Sequence, residues 1–322
     1  QDALETLNNS FNDVTNGNSA IVLIEGNSGY GKTSLVQEFS KTVAFRKGLF
    51  VSGKFDPLAR NIPLHGILQA LHDLIQWLLS LPENEIAFWK KNILSTVAPN
   101  ASILTEILPE LEKVIGAQPP VIELSPIEAH NRFLIILSDF ISLFASTETP
   151  LVIFFDDLQW CDSTSLNLLK YIANKSKPSS ILFIGAYRKN DLGIKHPLIS
   201  AIEGLEKKPF SLQTLALQPL EITDIDQMVA DTFHRSPPDE ETLSLANLIY
   251  QKTGGSPFFI HQLLETLFEL GFFELKEGKW IWDINQIRNT PISDNVSDLL
   301  SQKINEVNTG AIDILKIASC IG

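Results

Sequence analysis

The sequence has few cysteines, few basic residues and no long uninterrupted apolar run. Its two cysteines, Cys161 and Cys320, are far apart among the 322 residues. This fits neither a disulfide framework nor a zinc site, and it favours a reducing compartment, which we expect to be the cytoplasm. The longest apolar stretch, residues 133–145, is interrupted by Asp139 and two serines. Because a membrane-spanning helix requires roughly 18 apolar residues in succession, no transmembrane span is expected.

Acidic residues outnumber basic ones, with 38 Asp and Glu against 25 Lys and Arg and a formal net charge of -13. Nonspecific binding to nucleic acid or anionic lipid needs concentrated positive charge, so this balance argues against both partners. Hydrophobic residues make up 44% of the chain, which is enough for a core without metal or disulfides and excludes disorder throughout. The chain starts at Gln1 and stops in mid-pattern at Gly322, so we expect it to be part of a longer protein.

Five apolar stretches have the length and composition of β-strands. They are residues 20–25, 49–53, 151–155 and 181–186, with a weaker fifth stretch at 210–217. Segments with helical spacing separate them. Nearly continuous apolar strands that alternate with helices are typical of a parallel sheet covered on both faces, so residues 1–217 are predicted to form an α/β domain.

Helical patterns predominate in two other regions. Between the second and third strands, residues 63–146 form an insertion with helices predicted at 63–79, 83–97, 100–115 and 127–146. Patterns at 221–234, 239–253 and 257–270 predict a helical lid subdomain over 218–290. Within it, segments 272–275 and 279–282 flank a turn that contains Gly278 and predict a β-hairpin. Two more helical patterns, 293–307 and 310–320, end the sequence.

A phosphate-binding loop is the most specific motif in the chain. Residues 26–33 match G-x-x-x-x-G-K-[ST] directly after the first strand and before a helical run. Glycines allow the backbone N–H groups to converge on an anion, and the helix N-terminus adds a positive dipole. Lys32 is predicted to reach the β- and γ-phosphates, and the Thr33 hydroxyl to bind Mg²⁺. The predicted nucleotide-binding residues here are Gly26, Asn27, Ser28, Gly29, Tyr30, Gly31, Lys32, Thr33 and Ser34.

Two carboxylates follow the third strand, at the sheet edge where α/β proteins bind ligands. Asp156 is predicted to hold the Mg²⁺ through water, and Asp157 to polarise the attacking water. Alone this pattern is weak, because strands often end in acidic turns, but the phosphate loop strengthens it. Asp162 is predicted to be a helix N-cap rather than a ligand.

Arg188 lies at the tip of the next strand and is predicted to contact the γ-phosphate through charge-assisted hydrogen bonds; the alternative is a solvated arginine at a strand end. The base is predicted to be adenine. Guanine specificity uses an N-K-x-D loop, and residues 174–177 read Asn-Lys-Ser-Lys, with lysine where the aspartate is needed. ATP and ADP, with Mg²⁺, are therefore the expected ligands.

These motifs resemble the STAND class of AAA-related signalling ATPases. The resemblance is to the ATPase module of large proteins that join a Ser/Thr kinase domain to GAF and sensor histidine kinase domains. Four stretches carry it: residues 26–34, Gly-Lys-Phe-Asp at 53–56 with Arg-Asn-Ile-Pro at 60–63, the run 151–163 with its Asp-Asp-x-x-Trp pattern, and Gly-Gly-Ser-Pro-Phe-Phe at 254–259. The resemblance extends over nearly the whole chain.

The resemblance implies further features. It implies a five-stranded sheet with the order 5-1-4-3-2, a helical lid and the start of a winged-helix-like domain over 291–322. In that family the proline of the G-x-P element lies against the nucleotide, so Pro257 is a candidate neighbour of adenine. The alternative is an ordinary proline in the first turn of a helix.

The leading functional hypothesis is a regulatory ATP switch. ADP would keep lid and core closed, ATP with Mg²⁺ would open or oligomerise them, and slow hydrolysis would reset the state. The expected partners are kinase and sensor domains of the same longer chain and further copies of the protein.

Two alternatives belong to other classes. A metabolic P-loop phosphotransferase would need an acceptor pocket with basic or aromatic residues, and the sequence shows no such cluster beyond segment 54–60. An origin-recognition-like DNA-associated AAA ATPase would need more positive charge than Lys303 and Lys316 supply between residues 293 and 322.

Overall fold

The structure is a computed structural model that describes residues 2–59, 62–173, 180–193, 196–206, 211–236 and 238–289, together with Ile314 and Ala318. The chain divides into two compact units. The first comprises Gln1–Asn27 and Lys32–Leu217, and the second comprises Ser28–Gly31 and Gln218–Gly322. The two C-terminal helices and the winged-helix-like domain that the sequence predicts over 291–322 lie outside the described residues, as do residues 174–177.

A parallel five-stranded sheet forms the centre of the first unit. Its strands are β1 (Ala20–Glu25), β2 (Leu49–Lys54), β3 (Leu151–Asp156), β4 (Ile181–Tyr187) and β5 (Ser211–Ala216). They lie in the order β2-β3-β4-β1-β5, and every pairing is parallel. The predicted order is therefore confirmed. The three inner strands are buried almost throughout, whereas the edge strand β5 is partly exposed, which explains its weaker apolar pattern.

Helices cover both faces of this sheet. They are α1 (Asp2–Thr15), α2 (Lys32–Phe45), α3 (His65–Leu79), α4 (Glu83–Val97), α5 (Ser102–Ile107), α6 (Glu112–Ile115), α7 (Pro126–Ser142), α8 (Ser163–Ala173) and α9 (Pro197–Glu206). Alternate residues of β1 point to opposite faces: Val22 and Ile24 pack with α1 and α2, while Ile21 and Leu23 join a cluster that includes α3, α7, α8 and α9.

The helical insertion packs directly on the sheet, because its apolar side chains belong to the same cluster as those of β2 and β3. Its predicted third helix is wrong in one respect. Residues 100–115 do not form one helix but α5, a 3₁₀ turn at Pro109–Leu111, and α6. Pro109 disfavours the helical region for the preceding residue, and Leu108 has φ -133° and ψ 73°. The helix therefore ends before the proline.

The second unit is helical, with a two-stranded hairpin. It contains α10 (Ile222–Thr232), α11 (Glu240–Thr253), α12 (Pro257–Glu269), β6 (Glu274–Lys276), β7 (Lys279–Ile281) and α13 (Ile284–Asn289). Its helices and hairpin surround one apolar cluster. The predicted β-hairpin is confirmed. Both residues of its turn, Glu277 and Gly278, have positive φ, as a type I′ turn requires.

A close approach between β2 and α3 requires glycine at position 53. A Cβ added there would lie 1.8 Å from the Gly66 carbonyl oxygen, so the helix would have to move away from the strand. We expect Gly53→Ala to lower the free energy of unfolding by about 1–3 kcal/mol, as overpacking usually does. Urea unfolding followed by tryptophan fluorescence measures this change.

Gly204→Ala in α9 is the matched control, because a Cβ there meets no atom within 4 Å. Alanine is the better helix former by about 1 kcal/mol, so this variant should be neutral or more stable. Equal unfolding midpoints for the two variants would show that the β2–α3 approach is not tight.

Candidate nucleotide-binding site

The loop between β1 and α2 has the backbone that a phosphate-binding loop needs. Gly29 and Gly31 have φ of +81° and +79°, in the left-handed region that only glycine adopts without strain. The loop leads directly into α2, which begins at Lys32. Its backbone N–H groups and the positive end of a helix are therefore close together, as anion binding requires.

Lys32, the first residue of α2, is 8% exposed. Its Nζ donates to the carbonyl oxygens of Gly26, at 2.8 Å, and Asn27, at 2.9 Å. Burial lowers the pKa of Lys32, and the positive charge of Arg188 lowers it further, while Asp156 partly offsets both. Phosphate oxygens bound at this loop would stabilise the protonated amine, so the residues fit an anionic ligand.

Thr33 and Asp156 meet as a magnesium site requires. The Thr33 hydroxyl donates to Asp156 Oδ2 at 2.8 Å, which brings two hard oxygen atoms together beside the loop. The described part of the chain has no cluster of three or more His, Cys, Asp or Glu side chains that could enclose a metal. Mg²⁺ with a nucleotide does not need such a cage, because it usually keeps several waters and binds one or two protein oxygens plus phosphates.

Asp157 follows β3 in the left-handed conformation, with φ 54° and ψ 44°. Three side chains surround its carboxylate. Lys54 Nζ lies 3.5 Å from Oδ2, an Arg188 nitrogen lies 3.4 Å from Oδ1, and Gln159 Nε2 donates to Oδ1 at 2.9 Å. Because Lys54 ends β2 and Arg188 follows β4, the carboxyl ends of three adjacent strands meet at this carboxylate.

The sequence predicts a role for two further residues near this edge, Asp162 and Arg188. Asp162 is confirmed as a helix N-cap, because its Oδ1 accepts hydrogen bonds from the backbone N–H groups of Thr164 and Ser165, both at 3.0 Å. Arg188 lies between Asp157 and Asp191, the latter at 3.9 Å. Its contact with a γ-phosphate stays a prediction.

Sequence reasoning missed three side chains at this edge, Lys54, Gln159 and Asn190. Asn190 Nδ2 donates to Asn27 Oδ1 at 2.9 Å and so fixes the start of the phosphate loop. Lys54 had a usable signal, because it follows a predicted strand and pairs in register with Asp156. Gln159 and Asn190 lie in short 3₁₀ turns after β3 and β4, and spacing alone does not show where such side chains point.

The second unit includes residues 28–31 of the phosphate-binding loop, and these residues contact the start of α12. Phe258 N donates to the Gly29 carbonyl oxygen at 3.1 Å. Gly255 precedes this helix with φ +76°, and an added Cβ would lie 2.2 Å from the Leu220 carbonyl oxygen. Pro257 occupies the first turn of α12 and lines a groove of about 540 Å³ together with Phe233, His261, Phe268 and Trp280, among others. Its contact with adenine stays a prediction.

The sheet order, the glycine loop with its buried lysine, and the acidic end of β3 define a P-loop nucleoside triphosphatase fold. The AAA ATPase domain family matches residues 1–184. The chain belongs to this family.

Two curated relatives are histidine kinases. The chain is 28% identical over 384 residues to hybrid signal transduction histidine kinase G of Dictyostelium discoideum, covering 99% of this chain and 11% of that protein. It is 23% identical over 265 residues to histidine protein kinase 1 of Candida albicans, covering 73% of this chain and 10% of that protein. The chain thus spans about a tenth of the length of these relatives.

Solved structures with a similar chain trace include a Walker-type ATPase of Pyrococcus abyssi. It is 13% identical, with a TM-score of 0.47 and coverage of 95% of this chain and 74% of that one. The ORC2 protein of Aeropyrum pernix is 15% identical, with a TM-score of 0.45 and coverage of 97% and 77%. Among the described residues of the chain, none of the helices has the length and apolar character needed to cross a bilayer.

Proposed function

We propose that the chain is the ATP-binding and slowly ATP-hydrolysing regulatory switch of a larger signal-transduction protein, of the STAND class and located in the cytoplasm. The observation that carries this proposal is the contact of Thr33 with Asp156 at 2.8 Å beside the buried Lys32. The two histidine kinases to which the chain is similar support the signalling role, since the chain corresponds to about a tenth of each. Kinase and sensor domains of the same longer chain are the proposed partners, together with nucleotide-dependent self-association.

Each group of the site has a separate role in the proposed hydrolysis. The loop N–H groups and Lys32 bind the phosphates of ATP, and Thr33 and Asp156 would hold Mg²⁺, which neutralises charge on the phosphate oxygens when bound. Asp157 orients a water whose oxygen bonds to the γ-phosphorus while the bond from that phosphorus to the bridging oxygen breaks. The proton that this water loses passes to the Asp157 carboxylate and from there to solvent, and inorganic phosphate is released. ADP leaves with the bonding electron pair. Arg188 contacts the γ-phosphate and so reports whether it is present.

Slow turnover is supported by the surroundings of Asp157. Its carboxylate lies within 3.5 Å of two cations, Lys54 and Arg188. A water molecule must compete with these partners for the same oxygens. Low turnover suits a switch, since the lifetime of the ATP state then sets the duration of the signal. In a metabolic phosphotransferase, low turnover would only limit the rate of product formation.

Identifying the nucleotide that the purified chain retains tests the proposal first. We expect the chain to release ADP when it is denatured, as identified by chromatography. The Lys32→Ala variant should release much less nucleotide. With nucleotide then exchanged, ADP and ATP with Mg²⁺ should give different hydrodynamic radii and different amide exchange in α10–α12, because a ligand shifts a conformational balance only through unequal affinity for its states. Identical radii and exchange in the two nucleotide states would overturn the switch.

A further inference from the structure

The side chain of Gln159 bridges two groups that hydrolysis is proposed to need. Gln159 is 0% exposed. Its Nε2 donates to Asp157 Oδ1 at 2.9 Å, and its Oε1 accepts from the backbone N–H of Arg188 at 3.1 Å. We propose that Gln159 is a positioning residue that holds the Asp157 carboxylate in a fixed place relative to the end of β4. This inference rests on the proposed ATPase function.

Chemistry fixes the orientation of this buried amide. A carboxylate only accepts hydrogen bonds and a backbone N–H only donates, so the amide NH₂ must face Asp157 and the carbonyl oxygen must face Arg188. An amide buried without partners would cost free energy, whereas here both ends are paired. Glutamine is therefore suited to this place in a way that neither glutamate nor an apolar residue is.

The other partners of Asp157 hold it less firmly. The side chains of Lys54 and Arg188 are 62% and 37% exposed, and their nitrogens lie 3.5 and 3.4 Å from the carboxylate. Such exposed ion pairs are weak and their long side chains are free to move. The hydrogen bond from Gln159 is shorter, buried and directional, so it sets the direction of the carboxylate.

Packing fixes the backbone that carries Gln159. The neighbouring Leu158 fills the space that a side chain at Gly185 would take, since a Cβ there would lie 2.0 Å from Leu158 Cδ1. Trp160 packs against the core of the first unit. The 3₁₀ turn Leu158–Trp160 is thus anchored on both sides of Gln159, and a rigid support of this kind is what a catalytic carboxylate needs.

Steady-state ATP hydrolysis by the whole chain tests this role with two variants. Gln159→Met has a similar length and no amide, and we expect its kcat to fall about 10- to 100-fold, as misplacing a catalytic group does. KM and the affinity for ADP should stay within about twofold, because the phosphate loop is untouched. The control is Gln118→Met, which removes a part-buried amide that donates to backbone carbonyls in the insertion and should keep wild-type kcat.

Gln159→Glu separates positioning from simple packing. Glutamate keeps the acceptor for the Arg188 N–H but cannot donate to Asp157 unless it is protonated. The ratio of its kcat to that of the wild type should therefore rise as the pH falls from 8 to 5.5, whereas the ratio for Gln159→Met should stay flat. Thermal melting and ADP affinity check that each variant folds.

The outcomes distinguish a failure of the proposed ATPase function from a failure of the positioning role of Gln159. A wild-type chain that binds ATP without hydrolysing it would overturn the proposed ATPase function and the positioning role with it. Wild-type kcat in a folded Gln159→Met variant would overturn the positioning role alone. A fall in kcat for Gln159→Met, with a pH-dependent recovery only in Gln159→Glu, would support it.

Discussion

Replacing Lys32 with alanine is expected to weaken ATP binding about 10- to 150-fold. The variant loses one charge-assisted contact to phosphate, worth about 1.5–3 kcal/mol. Burial disfavours the charged form of this side chain in the folded chain and therefore lowers the pKa of Lys32. A buried cation hydrogen-bonded to the neutral carbonyls of Gly26 and Asn27 is poised to exchange those partners for phosphate oxygens, which explains why the loss should be large.

The fold should survive the Lys32→Ala substitution, because alanine is the best helix former and position 32 begins α2. Isothermal titration with ATP in the presence of Mg²⁺ measures the affinity. Lys41→Ala is the matched control: it removes the same side chain from the same helix, where Lys41 is 72% exposed and pairs with Glu38. Equal ATP affinities for the two variants would mean that the loop does not bind phosphate in the assigned way.

Strand positions could be read from the sequence because burial on both faces leaves a nearly continuous apolar run. Residues 20–25 and 151–155 have this pattern and form β1 and β3. The contact between Thr33 and Asp156 followed from topology, since parallel strands bring their carboxyl ends to one edge. Local patterns and the common edge of parallel strands were therefore enough to choose the candidate phosphate and magnesium residues, whose roles stay predictions.

Helices were predicted less completely. Helix α1 was missed although Leu7, Phe11 and Val14 recur at helical spacing and are buried; the periodic signal was present in the chain. The break at Leu108 depended on the local effect of Pro109 and was also readable. In both cases the physical information lay in the sequence.

Other features of the site could not have been read from the sequence. The bridge from Gln159 to Asp157 and Arg188 depends on side-chain directions in a single 3₁₀ turn, where no periodicity exists. The approach of Gly53 to Gly66 depends on how α3 crosses β2. Such contacts are set by tertiary packing, and the hydrogen bond from Gln159 is the one that touches the candidate catalytic carboxylate.

Asp157→Asn is expected to leave ATP binding nearly unchanged and to slow hydrolysis about 10²- to 10⁴-fold, the usual contribution of a group that orients or accepts a proton. Asparagine is the least disturbing substitution here. It tolerates the left-handed backbone that Asp157 adopts, and its amide oxygen can still accept from Gln159. The lost ion pairs with Lys54 and Arg188 involve partly exposed cations, so the effect on stability should be small.

Single-turnover hydrolysis of γ-labelled ATP measures the slowing of Asp157→Asn, and a binding titration confirms that the site is filled. Asp73→Asn is the control, because it removes one carboxylate charge from α3 and can keep its hydrogen bond from the Ser52 N–H. Hydrolysis at the wild-type rate in Asp157→Asn would assign the water-orienting role to another residue. If chemistry is lost while binding remains, the variant should hold the hydrodynamic radius of the ATP state, whereas the wild type returns to that of the ADP state as ATP is consumed. That difference in persistence would tie the conformational state to the bound nucleotide and would identify hydrolysis as the step that resets it.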